Sequence, residues 1–185
     1  MDIVFLTIIG FFCYFFIQVL IKMRQKILFP NTPEQMDYIR KYPGKRLGIP
    51  TYSEQKVGII VHLFVLLFVI ILFLLGFFLQ MFNWTFYLLL FLPLAISSNL
   101  FNLFAIVEGG ILSGSRFIAW NRITSFQFVP IDSNHRFYGY SKKVNEGYEL
   151  QIKTKIFSTN CIVTSKEMKR KLHTIFNDHL QSNEH

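Results

Sequence analysis

From Val57 to Val107 the chain carries no Asp, Glu, Lys or Arg, and His62 is the only histidine in that run. A charge at the centre of a bilayer is costly, and one membrane helix needs about 20 apolar residues. The run has room for two such helices, broken at Gln80-Met81-Phe82-Asn83-Trp84. The pattern predicts spans over 57–80 and 85–105, with Trp84 at the interface. Pro93 falls inside the second and is placed to kink it. Ser97, Ser98, Asn99 and Asn102 make its last part polar. Either these groups pack against neighbouring helices or the helix stops near Asn99. Ile3 to Ile21 is also apolar apart from Thr7 and Gln18, and Lys22, Arg24 and Lys26 follow it. A secretory signal peptide places its positive charges first. Residues 1–22 therefore read as a retained first span.

Residues 23–56 separate the first two spans. Thr32-Pro33-Glu34-Gln35 has the form of a helix start, with Thr as cap, Pro in the first turn and Gln35 completing a capping box. Met36 and Ile39 share a face, and Pro43-Gly44 ends the segment. This predicts a short amphipathic helix lying on the headgroups or on the soluble domain; the plainer alternative is a solvated linker. Tyr38, Arg40, Lys41, Lys45 and Arg46 are candidates to bind lipid phosphates, or they serve only as the topology signal.

From Ile106 the period shortens to that of strands. Ile106 to Leu112 reads as strand, Gly109-Gly110 turn, strand, and Ser113-Gly114-Ser115 as another turn. Arg116 to Trp120 and Ile123 to Val129 read as further strands, and 131–147 as a long polar loop. Tyr148 to Lys153 alternates apolar and polar residues, predicting one face on a core and one in water. A strand over 160–164 follows. Thr164 and Glu167 then make a capping box for a helix to Leu180, whose apolar stripe is Met168, Leu172, Ile175 and Phe176. The expected fold is thus a membrane α-helical part with three transmembrane helices, joined to a small α+β domain over 106–181. In that domain a rolled antiparallel sheet is closed by the C-terminal helix, and 182–185 form a tail.

Composition sharpens this picture. The chain has 185 residues, a net charge of +8 and 22 Phe. Between the first two spans lie Lys22, Arg24, Lys26, Arg40, Lys41, Lys45, Arg46 and Lys56 against Glu34, Asp37 and Glu54, and the next connection is uncharged. The positive-inside rule then places 23–56 and the C-terminal domain in the cytoplasm and the N-terminus outside. The basic residues form no arm or motif of a nucleic-acid reader, so no nucleic-acid partner is expected. Cys13 and Cys161 lie in different regions without metal or redox spacing, and read as small apolar residues.

No catalytic constellation is legible. His62, His135, His173, His179 and His185 are scattered, no HExxH, GxSxG or P-loop occurs, and no paired carboxylates stand out. No enzyme activity, cofactor or metal is expected. His62 reads as snorkelling toward the cytoplasmic interface, the alternative being a group that senses pH or binds a partner. The best binding candidates in the domain are Arg116, Trp120 and Arg122. Strand alternation places Arg116, Ile118 and Trp120 on one side, with Phe117 and Ala119 on the other. Trp120 also fits a plain core role.

The run from Gly110 to Ile123, GILSGSRFIAWNRI, resembles the core of bacterial pleckstrin-homology-like domains, whose first strands carry a G-I…G…F-I-P-W-x-x-I pattern. Ala119 stands where that pattern often has Pro. The resemblance covers about 104–181 and implies meandering strands with a C-terminal helix. Membrane proteins bearing this module resemble accessory subunits, envelope proteins of Gram-positive bacteria, and self-immunity proteins against bacteriocins of the sublancin or leaderless kind. The resemblance implies a non-enzymatic protein of the bacterial cell membrane. Its partners would be anionic lipid headgroups and a protein or peptide; self-protection against a membrane-active bacteriocin is the most specific version. The alternative is an accessory subunit of a membrane transport or secretion complex.

Overall fold

A computed structural model of the protein describes residues 2–48, 50–80, 83–97 and 101–181. What the sequence predicts for Ser98, Asn99, the Trp84 side chain and the 182–185 tail lies outside them. Two helices, α1 (Asp2–Lys22) and α3 (Tyr52–Phe78), are long and apolar enough to cross a membrane. Their outward faces are uncovered: Ile3 is 81% exposed, Phe64 67% and Phe78 77%. Helix α3 starts before the charge-free run, because Glu54 sits favourably in its first turn and the Tyr52 hydroxyl donates to the Leu20 carbonyl of α1.

The stretch expected to form a third span divides in two. Helix α4 (Trp84–Ser97) has 14 residues. At 1.5 Å per residue it is about 21 Å long, short of the ~30 Å hydrocarbon layer. The Ser97 hydroxyl turns back to the Leu94 carbonyl at 2.8 Å, the local bonding with which serine competes with a helix ladder. By Phe104 the chain is a strand.

The first loop holds the largest departure from expectation. Among the described residues it holds only a single helical turn. It supplies one edge strand to each of two sheets: β1 (Ile27–Phe29) and β2 (Ile39–Arg40). Between them α2 (Pro33–Asp37) is one short turn with no buried residue. Its start was legible: Thr32 Oγ1 accepts from the Gln35 amide at 3.4 Å, and Gln35 Oε1 accepts from the Asn31 amide at 3.1 Å.

The remaining strands are β3 (Phe104–Val107), β4 (Gly110–Ser113), β5 (Arg116–Ala119), β6 (Ile123–Pro130), β7 (Tyr148–Thr154) and β8 (Ser158–Val163). The first sheet runs β1-β3-β4-β5 and the second β2-β8-β7-β6, every pair antiparallel. The short helix α5 (Lys142–Asn145) and the closing helix α6 (Lys166–Gln181) complete the chain. Thr164 does not cap α6; its hydroxyl and amide both donate to the Tyr38 carbonyl, tying the first loop to the helix start.

Period-2 alternation distributes the apolar side chains over two cores. Phe104, Ile106, Ile111 and Ile118 face the second sheet and α6, where Leu150, Ile152, Cys161, Leu172 and Phe176 meet them. Leu103, Ala105, Val107, Leu112 and Phe117 face the other way, onto Phe16, Val19, Leu66, Leu90 and Leu94 of the helices. The first sheet is therefore buried on both faces, which is why its strands read as continuous apolar runs. Predicted alternation within 116–120 is reproduced: Phe117 and Ala119 join the helix-side core, and Ile118 and Trp120 the other.

The loop over 131–147 is packed, with Ile131 and Val144 buried against Ile162. It covers Glu149, so the polar face of β7 is not wholly in water: Glu149 is 1% exposed.

Candidate functional site

The two sheets meet at a cavity of about 180 Å³. Lys41 follows edge strand β2, whose pairing with β8 sets it beside Thr159 and Asn160. The Gly114-Ser115 turn joins β4 to β5 and brings Ser113 and Arg116 to the same wall. Gly114 has φ +60°, the first central position that type II′ hairpin turns reserve for glycine.

Lys41 Nζ bridges the sheets. It donates to Ser113 Oγ at 2.9 Å on one and to Thr159 Oγ1 and the Asn160 carbonyl, each at 3.0 Å, on the other. Ser113 and Thr159 hydroxyls bond each other at 2.8 Å. All three ammonium partners are neutral oxygens. Burial lowers the Lys41 pKa, Cys161 opposes that shift, and Arg116 and Arg136 add to it. Arg116 lies over the Phe157 ring at 5.0 Å. Among the described residues no Asp or Glu lines this cavity. A small cavity with two cations, several hydroxyls and no carboxylate is suited to an anion.

A second polar group stands behind it. Glu149 accepts from Arg136, from Gln151 Nε2 and from Asn160 Nδ2, and its Oε2 lies 3.2 Å from His135 Nε2. Burial alone would raise its pKa, but the hydrogen bonds from Gln151, Asn160 and Arg136 outweigh it and hold the carboxyl down to about 2. It is thus a fixed anion with its lone pairs engaged, not a proton carrier. Asn160 joins the two groups, its amide on Glu149 and its carbonyl on Lys41. Burial pushes the Cys161 thiol up to about 12, so it stays a thiol. Cys13 and Cys161 are both free. Among the described residues no group of three His, Cys, Asp or Glu could hold a metal.

Of the seven predicted site residues, the structure brings together Lys41 and Arg116. Arg40 Nη1 donates to the Pro43 carbonyl at 2.8 Å and serves the turn. Lys45 is exposed, with its amide on the Tyr42 carbonyl. Arg46 lies 3.6 Å from Asp37 at the surface. Arg122 borders a shallow depression with Gln18 on the helix side of the first sheet. Trp120 is a core residue: its Nε1–H donates to the Glu108 carbonyl at 3.1 Å, and its ring stacks on His179 at 4.2 Å and meets Phe176 edge-on. Trp120→Phe keeps an aromatic ring but loses half of the indole and its hydrogen bond. A cost of about 1–3 kcal/mol is expected, read as a lower melting temperature.

Sequence reading missed Ser113, Thr159, Asn160 and Phe157. Ser113 ends an apolar strand, and a hydroxyl there is the one local signal of a polar wall. His62 does not snorkel; it is 2% exposed, stacked on Phe16 at 4.4 Å, with Nδ1 3.4 Å from the Ser97 carbonyl. No family model, curated protein or solved structure matches the chain.

Proposed function

We propose that the protein is a non-enzymatic integral membrane protein in which helices and a pleckstrin-homology-like domain form one interaction device. The carrying observation is the first sheet, which has the helices on one face and the soluble core on the other. A partner that moved the helices would move the β4–β5 hairpin with them. Two antiparallel sheets closed by a C-terminal helix support the pleckstrin-homology-like reading. The exposed apolar faces of α1 and α3 support membrane insertion, and the basic 22–56 segment supports a cytoplasmic domain. In this topology the N-terminus lies outside, and the short helix α4 forms the return arm of a hairpin with α3 without crossing the full layer by itself.

In its most specific form the function is self-protection against a membrane-active bacteriocin. Expression in a sensitive strain is expected to raise survival under challenge with sublancin-type and leaderless peptides. Unchanged killing by every peptide would overturn this form. An accessory subunit of a membrane transport or secretion complex is the second reading. Its motive is the polar set Ser97, Ser98, Asn99 and Asn102, which would suit a helical partner; of the two described residues, the Ser97 hydroxyl and carbonyl and the Asn102 side-chain amide bond within the chain. Its remaining support is the uncovered apolar surface of α1 and α3. Purification in mild detergent as the single chain would count against it.

A further inference from the structure

The cationic cavity has an apolar neighbour. Ser115 and Arg116 border both it and a second cavity of about 250 Å³. The rest of that second wall is Phe11, Phe12, Phe15 and Phe16 of α1, together with His62 of α3. Charge lies on one side of the β4–β5 turn and aromatic surface on the other.

We infer that the paired cavities bind one anionic glycerophospholipid drawn from the surrounding bilayer, its phosphate at Lys41 and Arg116 and an acyl chain along the phenylalanine face of α1. The chemistry of each wall argues for this occupant. Lys41 has its three donors engaged by protein oxygens, so it contributes charge. Arg116 stacks by its face on Phe157, and among the described residues no carboxylate pairs with it. Its N–H edge remains for a phosphate, for which the guanidinium fork is well matched. A cavity of 180 Å³ has room for about six waters at their ~30 Å³ share of the liquid. That is the scale of a headgroup, and below the ~300 Å³ at which drug-sized ligand pockets begin.

His62 supplies an independent indication. Its Nε2 is buried with no hydrogen-bond partner among the described residues, while the ring lines the apolar cavity. An orphaned buried polar atom is costly and asks for a ligand or water. The Ser97 carbonyl can only accept, so it selects the Nδ1–H form of the neutral ring and leaves Nε2 as an acceptor. A headgroup hydroxyl of phosphatidylglycerol, or a water held on the lipid's ester oxygens, can donate to that acceptor.

Helix lengths place the cavities at a sensible depth. From Phe16 to the start of α1 is about 21 Å, and from His62 to the end of α3 about 24 Å, at 1.5 Å per residue. The turn carrying Arg116 therefore lies toward one end of the helices, where a headgroup belongs. The inference rests on the membrane placement, not on self-protection, so the killing assay and lipid binding fail independently.

The test uses the full chain purified in neutral detergent, with melting temperature and native mass spectrometry as readouts. Phosphatidylglycerol is expected to remain bound through purification and to raise the melting temperature, while phosphatidylcholine does neither. Arg116→Gln is expected to weaken phosphatidylglycerol binding at least tenfold. Arg122→Gln, which lines neither cavity, leaves it unchanged. Because each variant's melting temperature is also read without lipid, a folding defect is told apart from lost binding. Equal stabilisation by both lipids, or equal loss in both variants, would overturn the site. Full stabilisation by inorganic phosphate alone would overturn the lipid in favour of a free anion.

Discussion

Gly110→Ala is expected to destabilise the native fold severely, by about 2–6 kcal/mol. A Cβ at this position would stand 2.1 Å from the Ile118 carbonyl oxygen and 2.8 Å from the Ala119 Cα. Both are backbone atoms of the neighbouring strand, with which Gly110 pairs directly across the β4–β5 ladder. The strand cannot retreat, because Ile118 is packed in one core and Phe117 in the other. Residue 110 also has φ +154°, a conformation that side-chain-bearing residues rarely adopt. Backbone strain of about 1–3 kcal/mol and overpacking of about 1–3 kcal/mol act together, against a typical total stability of about 5–15 kcal/mol. The readout is yield of monodisperse protein and its melting temperature. Gly139→Ala is the control: φ is +92° there, but nothing lies within 4 Å of the new methyl. It isolates the backbone term, about 1–2 kcal/mol. Equal behaviour of the two variants would refute the tight β4–β5 register on which the cavity depends.

Acidification is expected to be the second large effect. Glu149 has its carboxyl held at about 2 against an ordinary value of 4.5. A depressed folded-state value means that the stabilisation is present above the ordinary value and lost as pH falls from there toward 2. At ~1.4 kcal/mol per pH unit, the contribution is at most about 3–4 kcal/mol. Arg136, its charged partner, is 64% exposed, so salt reduces the effect from that ceiling. Glu149→Gln should lower the melting temperature at pH 7, and the wild type should lose more than half of its advantage over the variant by pH 3. A wild type whose margin over Glu149→Gln is the same at both pH values would show that this carboxylate is not the acid-sensitive group. The consequence reaches the cavity, because Asn160 is bonded to Glu149 and also supplies the carbonyl that holds Lys41.

Much of this architecture was legible because its signals are local. Apolar length identified α1 and α3, and helical spacing identified α6, whose Met168, Leu172 and Phe176 are buried as their positions required. Alternation placed Phe117 and Ile118 on opposite faces correctly. The cavity was not legible. Lys41 stood among several basic residues of one loop, and nothing within 23–56 distinguishes it from Lys45. What singles it out is the pairing of β2 with β8, more than a hundred residues away, together with the arrival of Ser113 from the other sheet. Glu149 likewise sits in a regular alternation and would face water, had the 131–147 loop not folded over it.

The charge-free run shows where the two kinds of information divide. Residue pattern alone determined that 57–107 avoids water, because exclusion of charge is written into the side chains. It did not determine which apolar medium each part meets. Up to Phe78 the outward face of α3 is bare, as for a helix in lipid; by Phe104 the same chemistry belongs to β3, enclosed by protein on both faces. Lipid and protein interior make the same demand on a side chain, so hydrophobicity cannot tell them apart. The difference lies in backbone hydrogen bonds: within the segment for a helix, and to β1 and β4 for the strand. Those partners are chosen by tertiary structure, and with them the two short edge strands, the meeting of Lys41 with Arg116, and the cavity between the sheets.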